Sequence, residues 1–208
     1  MPRERGQRRI AARWFCIPIG FFLAVLAVPL FLFFRQHAMI YHPRPYDSRY
    51  GVKLPANGVE INYTVSAGKC SAFYIPSREV LPKRLWIAFC GNGSLALDFA
   101  ARHRVERVGA IAPFTTLREE AARVVGRQLA RLLRENYDNR KNLAQIARHN
   151  PKARIGIFHG TADDDIPVEM GRELVREFPF VEFFAIDGAD HVSVLDAGHD
   201  KIVDWMNH

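Results

Sequence analysis

The longest hydrophobic pattern in the chain is an uncharged apolar run from Trp14 to Phe34. Arg3, Arg5, Arg8, Arg9 and Arg13 precede it and Arg35 follows it. Wound as a helix, such a run spans about 30 Å, the thickness of a bilayer core. After it the apolar stretches shorten and change period. Val59–Val65 and Cys70–Ile75 read as short strands around Ser66-Ala67-Gly68-Lys69, a pattern that predicts an antiparallel hairpin. Leu85–Cys90 is a continuous apolar run, the signature of a parallel strand buried on both faces. Gly91-Asn92-Gly93-Ser94 breaks it, and Leu95–His103 reads as a helix.

The alternation then continues. Arg107–Ala112 predicts a strand. Thr116-Leu117-Arg118-Glu119 has capping-box spacing and opens a helix to about Glu135. Arg154–Phe158 predicts a strand, Val168–Phe178 a helix after Pro167, Val181–Ile186 a strand and Val194–Asn207 a closing helix. Strands separated by helices predict an α/β domain, with a mostly parallel sheet flanked by helices. No internal repeat is present. The expected organisation is a basic tail (1–13), a transmembrane helix (14–34), a linker (35–57) rich in Pro, Tyr and Arg, and one α/β domain (58–208).

Composition narrows the class. The chain has 208 residues, 49% hydrophobic and 25% charged, which is globular and excludes a disordered or collagen-like protein. The formal charge is +7. A basic balance can signal nucleic acid, but much of the excess lies beside the apolar run. There the positive-inside rule accounts for it and places the N-terminus in the cytoplasm, with the domain on the periplasmic, luminal or extracellular side. A cleaved signal peptide would have a shorter apolar region and an A-x-A-like site, and neither fits here. Arg123, Arg127, Arg131 and Arg134 recur at helical spacing, as a solvated face or a stripe facing anionic lipid. Three cysteines are too few for a disulfide scaffold. Cys16 falls in the span. Cys70 and Cys90 either pair in an oxidising compartment or remain buried thiols.

In parallel sheets chemistry collects at the carboxyl ends of the strands. Polar, glycine-containing loops follow Cys90, Phe158 and Ile186. The loop His159-Gly160-Thr161-Ala162-Asp163-Asp164-Asp165-Ile166-Pro167 and the later Asp187-Gly188-Ala189-Asp190-His191 together resemble the α/β-hydrolase family. That family carries its acid in an H-G-x-x-D-x-x-[IV]-P loop and its histidine in a G-x-x-H loop one strand later. Phe89-Cys90-Gly91-Asn92-Gly93 resembles the family's H-G-N-x-G oxyanion loop, with Cys90 where His is usual. Arg102 to Phe114 resembles the helix end and strand that follow the nucleophile. The likeness covers most of the chain from about Tyr41 onward. With the N-terminal run it looks most like the single-pass, membrane-anchored members.

The resemblance implies hydrolysis of an ester, thioester or amide through an acyl-enzyme. Asp163 would orient His191, His191 would act as base, and Gly91 and Asn92 would stabilise the oxyanion. No clustered Cys/His spacing for zinc and no Walker-type phosphate loop occurs, so no metal and no cofactor is expected. The bilayer and a small acyl or peptide substrate would be the partners, and no nucleic acid is expected.

The nucleophile departs from this pattern. No G-x-S-x-G occurs, and Gly91-Asn92-Gly93-Ser94 runs straight into the helix that should follow the nucleophile. The chain looks like the family with one internal block removed, so activity is expected to be weak or absent. Ser94 stands near where an elbow would present a hydroxyl. It is a candidate substitute nucleophile, with helix capping as its ordinary role. A non-catalytic membrane-tethered remnant or binding module is the alternative. A second alternative is a dinucleotide-binding turn, since Gly91-Asn92-Gly93-Ser94-Leu95-Ala96 fits G-x-G-x-x-[GA] between a strand and a helix. The carboxylate that a ribose needs is absent from the end of the next strand, Ile111-Ala112-Pro113-Phe114.

Overall fold

The structure, a computed structural model, describes residues 27, 30, 31, 33–35, 55–65, 68–78, 85–89 and 93–208. It forms two compact units, one comprising Met1–Phe34 with Ala88–His208 and the other Arg35–Ile87. The smaller unit holds an antiparallel hairpin of β1 (Val59–Val65) and β2 (Gly68–Tyr74), in register from Val59 opposite Tyr74 to Val65 opposite Gly68. β2 thus begins at Gly68, two residues earlier than expected. Asn57 Nδ2 donates to the Pro76 carbonyl at 3.1 Å, bridging the two ends of the hairpin. Cys70 on β2 is a free, half-buried thiol, while Cys16 and Cys90 lie outside the described residues.

The larger unit is mixed α/β. Its sheet has the order β3 (Arg107–Ile111), β4 (Arg154–Gly160), β5 (Val181–Ile186), all parallel. The helices are α1 (Gly93–Arg102), α2 (Leu117–Val125), α3 (Arg127–Ala130), α4 (Asn139–His149), α5 (Val168–Glu177), α6 (Val194–Ala197) and α7 (His199–Asn207).

The central strand β4 is buried along nearly its whole length, with Ile155, Ile157 and Phe158 in the core. Ile155 and Ile157 point to one face and pack with Leu97, Ala100 and Ala101 of α1, Leu143 and Ile146 of α4 and Leu174 of α5. The opposite face carries Phe158, stacked on Phe184 at 4.7 Å and edge-on to Trp205 of α7 at 5.8 Å. Gly156 leaves the room that the Trp205 ring fills, since a Cβ there would lie 3.0 Å from it. Helices therefore cover both faces of the sheet.

Several expectations change. The apolar run Leu85–Phe89 joins no strand and its residues are exposed. A buried parallel strand needs a strand neighbour on each edge, and among the described residues none pairs with this run. The helix expected from Leu117 to Glu135 ends at Val125. Gly126 adopts φ 84°, a left-handed conformation that stops the helix, and only one further turn follows. Half of the capping box forms: Thr116 Oγ accepts from the Glu119 N–H at 3.0 Å, while the Glu119 carboxylate turns to the Thr115 hydroxyl and Arg140. Gly198 likewise splits the closing helix into α6 and α7.

Helix α4 has no counterpart in the sequence reading. Its signal lies in Asp138, whose carboxylate caps the Lys141 N–H at 2.9 Å, and in Leu143 and Ile146 at helical spacing. Arg140 on α4 ties Glu119 of α2 to Glu173 and Glu177 of α5. Burial opposes charge on Arg140 and Glu119. Their mutual pairing prevails, with the Thr115 hydroxyl also donating to Glu119, so Glu119 stays below the ordinary carboxylate range and Arg140 above its ordinary value.

Among the described residues no helix is long and apolar enough to cross a membrane, and most of 14–34 lies outside them.

Leu143 is fully buried between α4 and the sheet, whereas Val124 is 78% exposed. Leu143→Ala is expected to cost about 2–5 kcal/mol of unfolding free energy. Val124→Ala should stay within about 0.5 kcal/mol. Denaturant midpoints of the two variants check the contrast.

Candidate active site

The parallel register of β4 and β5 sets His159 beside Ala185 and Gly160 beside Ile186. The chain therefore leaves both strands at one edge, and the two loops that follow are neighbours. Backbone bonds stitch them together: Thr161 N–H donates to the Ile186 carbonyl and Ala162 N–H to the Ala189 carbonyl, each at 3.0 Å. Gly188 N–H donates to Thr161 Oγ1 at 2.8 Å. Gly160 makes this approach feasible. A Cβ on it would lie 2.2 Å from the Ala189 carbonyl oxygen.

Asp163 sits in the first loop with a fully buried carboxylate. Its Oδ1 accepts from the backbone N–H groups of Asp165 at 3.1 Å and Ile166 at 2.8 Å. That leaves Oδ2 for His191, whose Nδ1 lies 2.9 Å away. A carboxylate only accepts, so the neutral imidazole carries its proton on Nδ1. Nε2 then presents a lone pair, on a side chain that keeps 29% of its surface exposed. Such an imidazole can take a proton from a hydroxyl or a water, and its neighbour can stabilise the cation formed.

The turn that carries His191 is built by Asp190, whose Oδ1 accepts from the N–H of Val192 at 3.0 Å and of Ser193 at 2.7 Å, and from the Ser193 hydroxyl. The Ser193 backbone and hydroxyl bonds hold the Asp190 carboxyl below its ordinary range. The sequence reading missed Asp190 and Ser193. The D-x-x-S spacing of an Asx-type turn is the signal that marks them.

The sequence places His159 at the head of the motif loop and gives it no role. The residue is fully buried on the α5 side of β4, with Nε2 2.8 Å from the Ile166 carbonyl and 3.5 Å from Asp163 Oδ2. Burial pushes the His159 imidazole below its ordinary value of about 6.5, against the Ile166 carbonyl and the Asp163 charge, which favour the cation.

Ser94 stands apart from the exposed nucleophile that its position suggested. It lies in the first turn of α1, fully buried, and its Oγ accepts from Asn139 Nδ2 at 2.8 Å. The same amide nitrogen donates to the Phe114 carbonyl at 2.8 Å. The helix begins at Gly93, one residue ahead of Ser94, so Ser94 is not the residue before the helix that a cap requires. Its burial has a packing cause: α1 is pressed against β3, and a Cβ on Gly93 would lie 3.0 Å from Ala110 Cβ and the Ile111 nitrogen.

Gly91 and Asn92, the expected oxyanion residues, lie outside the described residues. The dinucleotide-binding alternative loses its context, because no strand is formed by Leu85–Phe89 ahead of the turn. At the carboxyl end of β3, Ala112 adopts φ 44°, a left-handed conformation that costs free energy in a residue other than glycine. Among the described residues no group of three or more His, Cys, Asp or Glu is placed to hold a metal ion.

Comparison with solved structures finds the esterase domain of a Rhodothermus marinus protein, at 15% identity and a TM-score of 0.39, over 54% of this chain and 56% of that one. It also finds a carboxylesterase of the ammonia-oxidizing thaumarchaeon Nitrososphaera gargenis, at 16% identity and a TM-score of 0.34, over 55% and 60%. The chain thus spans less than two thirds of the length of either. Neither a protein-family model nor a curated protein matches the sequence.

Two outcomes follow from this geometry. Gly160→Ala should force the 187–191 loop away from Asp163 and abolish the Nδ1–H signal of His191 in proton NMR, while the far-UV spectrum stays folded. Acid should also weaken the fold. Below about pH 6.5 the unfolded chain protonates His159 while the folded chain resists, so stability falls as pH falls. His159→Gln should flatten that part of the profile, read as melting temperature between pH 5 and 8.

Proposed function

We propose that this chain is a membrane-anchored α/β-hydrolase-like protein. Its Asp163–His191 pair is the acid–base apparatus for cleaving an ester, thioester or amide bond. The observation that supports the reading is the 2.9 Å contact between a fully buried carboxylate and Nδ1 of a partly exposed imidazole. That arrangement orients Nε2 outward as a base, at the edge of a parallel sheet where substrates bind. The anchor rests on the apolar run Trp14–Phe34 and its flanking arginines. It places the N-terminus in the cytoplasm and the domain across the membrane, with an acyl or peptide compound as substrate. No cofactor and no nucleic acid enters this reading.

Turnover is weak or absent. A serine is a nucleophile only when its hydroxyl reaches both the base and the substrate. Ser94 is fully buried and bonded to Asn139. The same observation favours a second reading, a tethered module that keeps the acid–histidine pair and binds an acyl or peptide ligand without turning it over.

Two measurements on the detergent-solubilised full chain separate these readings. Hydrolysis of an activated short-chain acyl ester is expected to be slow and to drop by about 10²-fold or more in His191→Ala. An unchanged rate in that variant would refute the acid–base role. A fluorophosphonate probe should leave Ser94 unlabelled. Labelling that disappears in Ser94→Ala would instead make Ser94 a working nucleophile.

A further inference from the structure

His159 lies beneath the Asp163–His191 pair, and the chemistry assigned to that pair leaves it without a role. The ring has no access to solvent. Its surroundings determine where its proton sits. Nε2 is 2.8 Å from the Ile166 carbonyl oxygen, which can only accept, so Nε2 carries the hydrogen. Nδ1 faces α5 and has no hydrogen-bond partner among the described residues. It points at Gly171, where a Cβ would lie 2.7 Å from it. Any larger residue at 171 would strike the ring. A proton on Nδ1 would find no acceptor there, so the ring is neutral and has a single tautomer. The titratable groups that face it are Asp163 on the loop after β4, His191 on the loop after β5 and Glu169 on α5.

The bonds around this ring form a chain that ends at the imidazole of His191. His159 Nε2–H holds the Ile166 carbonyl. The N–H of Ile166, on the other side of the same residue, holds Asp163 Oδ1. The remaining oxygen, Oδ2, meets His191 Nδ1. The Nε2–H dipole also lies 3.5 Å from that oxygen, close enough to favour its negative charge and too far to take over its hydrogen bond. We propose that His159 is a positioning residue: through Ile166 it fixes the rotation of the Asp163 carboxylate, so that Oδ2 is presented to His191 alone. The role rests on the reading of Asp163 and His191 as an acid–base pair, because it concerns the presentation of one to the other. An apolar side chain of equal size would fill the space. It would also leave the Ile166 carbonyl buried without a donor and free the turn to rotate.

Nitrogen-15 NMR of the solubilised full chain, labelled at histidine, tests this at pH 8, with His159→Gln and His191→Gln used for assignment. The wild type should show His159 as the Nε2–H form and His191 as the Nδ1–H form. His159→Phe keeps an aromatic ring, somewhat larger than the imidazole, and removes the donor, and should turn the Nδ1–H form of His191 from the dominant into the minor species. His159→Gln, whose amide can still donate to Ile166, should restore it. The proposal is overturned if His159→Phe leaves the His191 tautomer unchanged in a cooperatively melting protein. If that variant does not fold, the wild-type spectrum decides, and an Nδ1–H form of His159 refutes the proposal. Asp163→Asn is the separate arm. If it leaves the His191 tautomer unchanged, the acid–histidine pair itself is wrong, whatever His159 does.

Discussion

A carboxylate sealed from solvent must have every lone pair answered by a donor. In this protein that demand falls on Asp163, and the loops after β4 and β5 are arranged around it. Two backbone N–H groups of its own turn meet one oxygen and an imidazole from the neighbouring loop meets the other. Neither loop could satisfy the carboxylate alone. The contact therefore holds the two loops together, and the parallel pairing of β4 with β5 brings them within reach. The absence of a side chain at Gly160 lets the backbones close the last distance.

The layers below serve the same edge. Strand β4 is apolar on both faces and is clamped by α1, α4 and α5 on one side and by the aromatic group Phe158, Phe184 and Trp205 on the other. A strand held that firmly gives its C-terminal residues a fixed direction, and His159 and Asp163 inherit it. The opposite side of the sheet is less complete. β3 has no strand partner on its outer edge among the described residues. Unpaired strand edges favour association between chains.

Much of this was legible in the order of residues. The period-two and continuous apolar runs located β1, β3, β4 and β5, and Thr116 with Glu119 marked a helix start, because these signals are local. The loops bearing Asp163 and His191 were legible from glycine spacing after each strand. The exceptions have identifiable causes. Leu85–Phe89 reads as a buried strand because apolarity signals burial without naming the neighbours that must provide it. Helix α4 escaped notice because its many polar residues, Arg140, Lys141 and Asn142 among them, dilute a two-residue apolar stripe. Gly126 ended a helix that arginine spacing alone would have carried on to Glu135.

The sequence alone therefore determined the alternating architecture and the two glycine-containing loops, after β4 and after β5, that carry Asp163 and His191. All of these depend on residue type and spacing along the chain. Only the tertiary structure decided that Ser94 is inaccessible, that Asn139 holds its hydroxyl, and that His159 lies buried against Gly171 beneath the pair. Those facts arise where helices and strands far apart in the chain come into contact. Burial and hydrogen bonding across such contacts depend on distances that no local pattern carries.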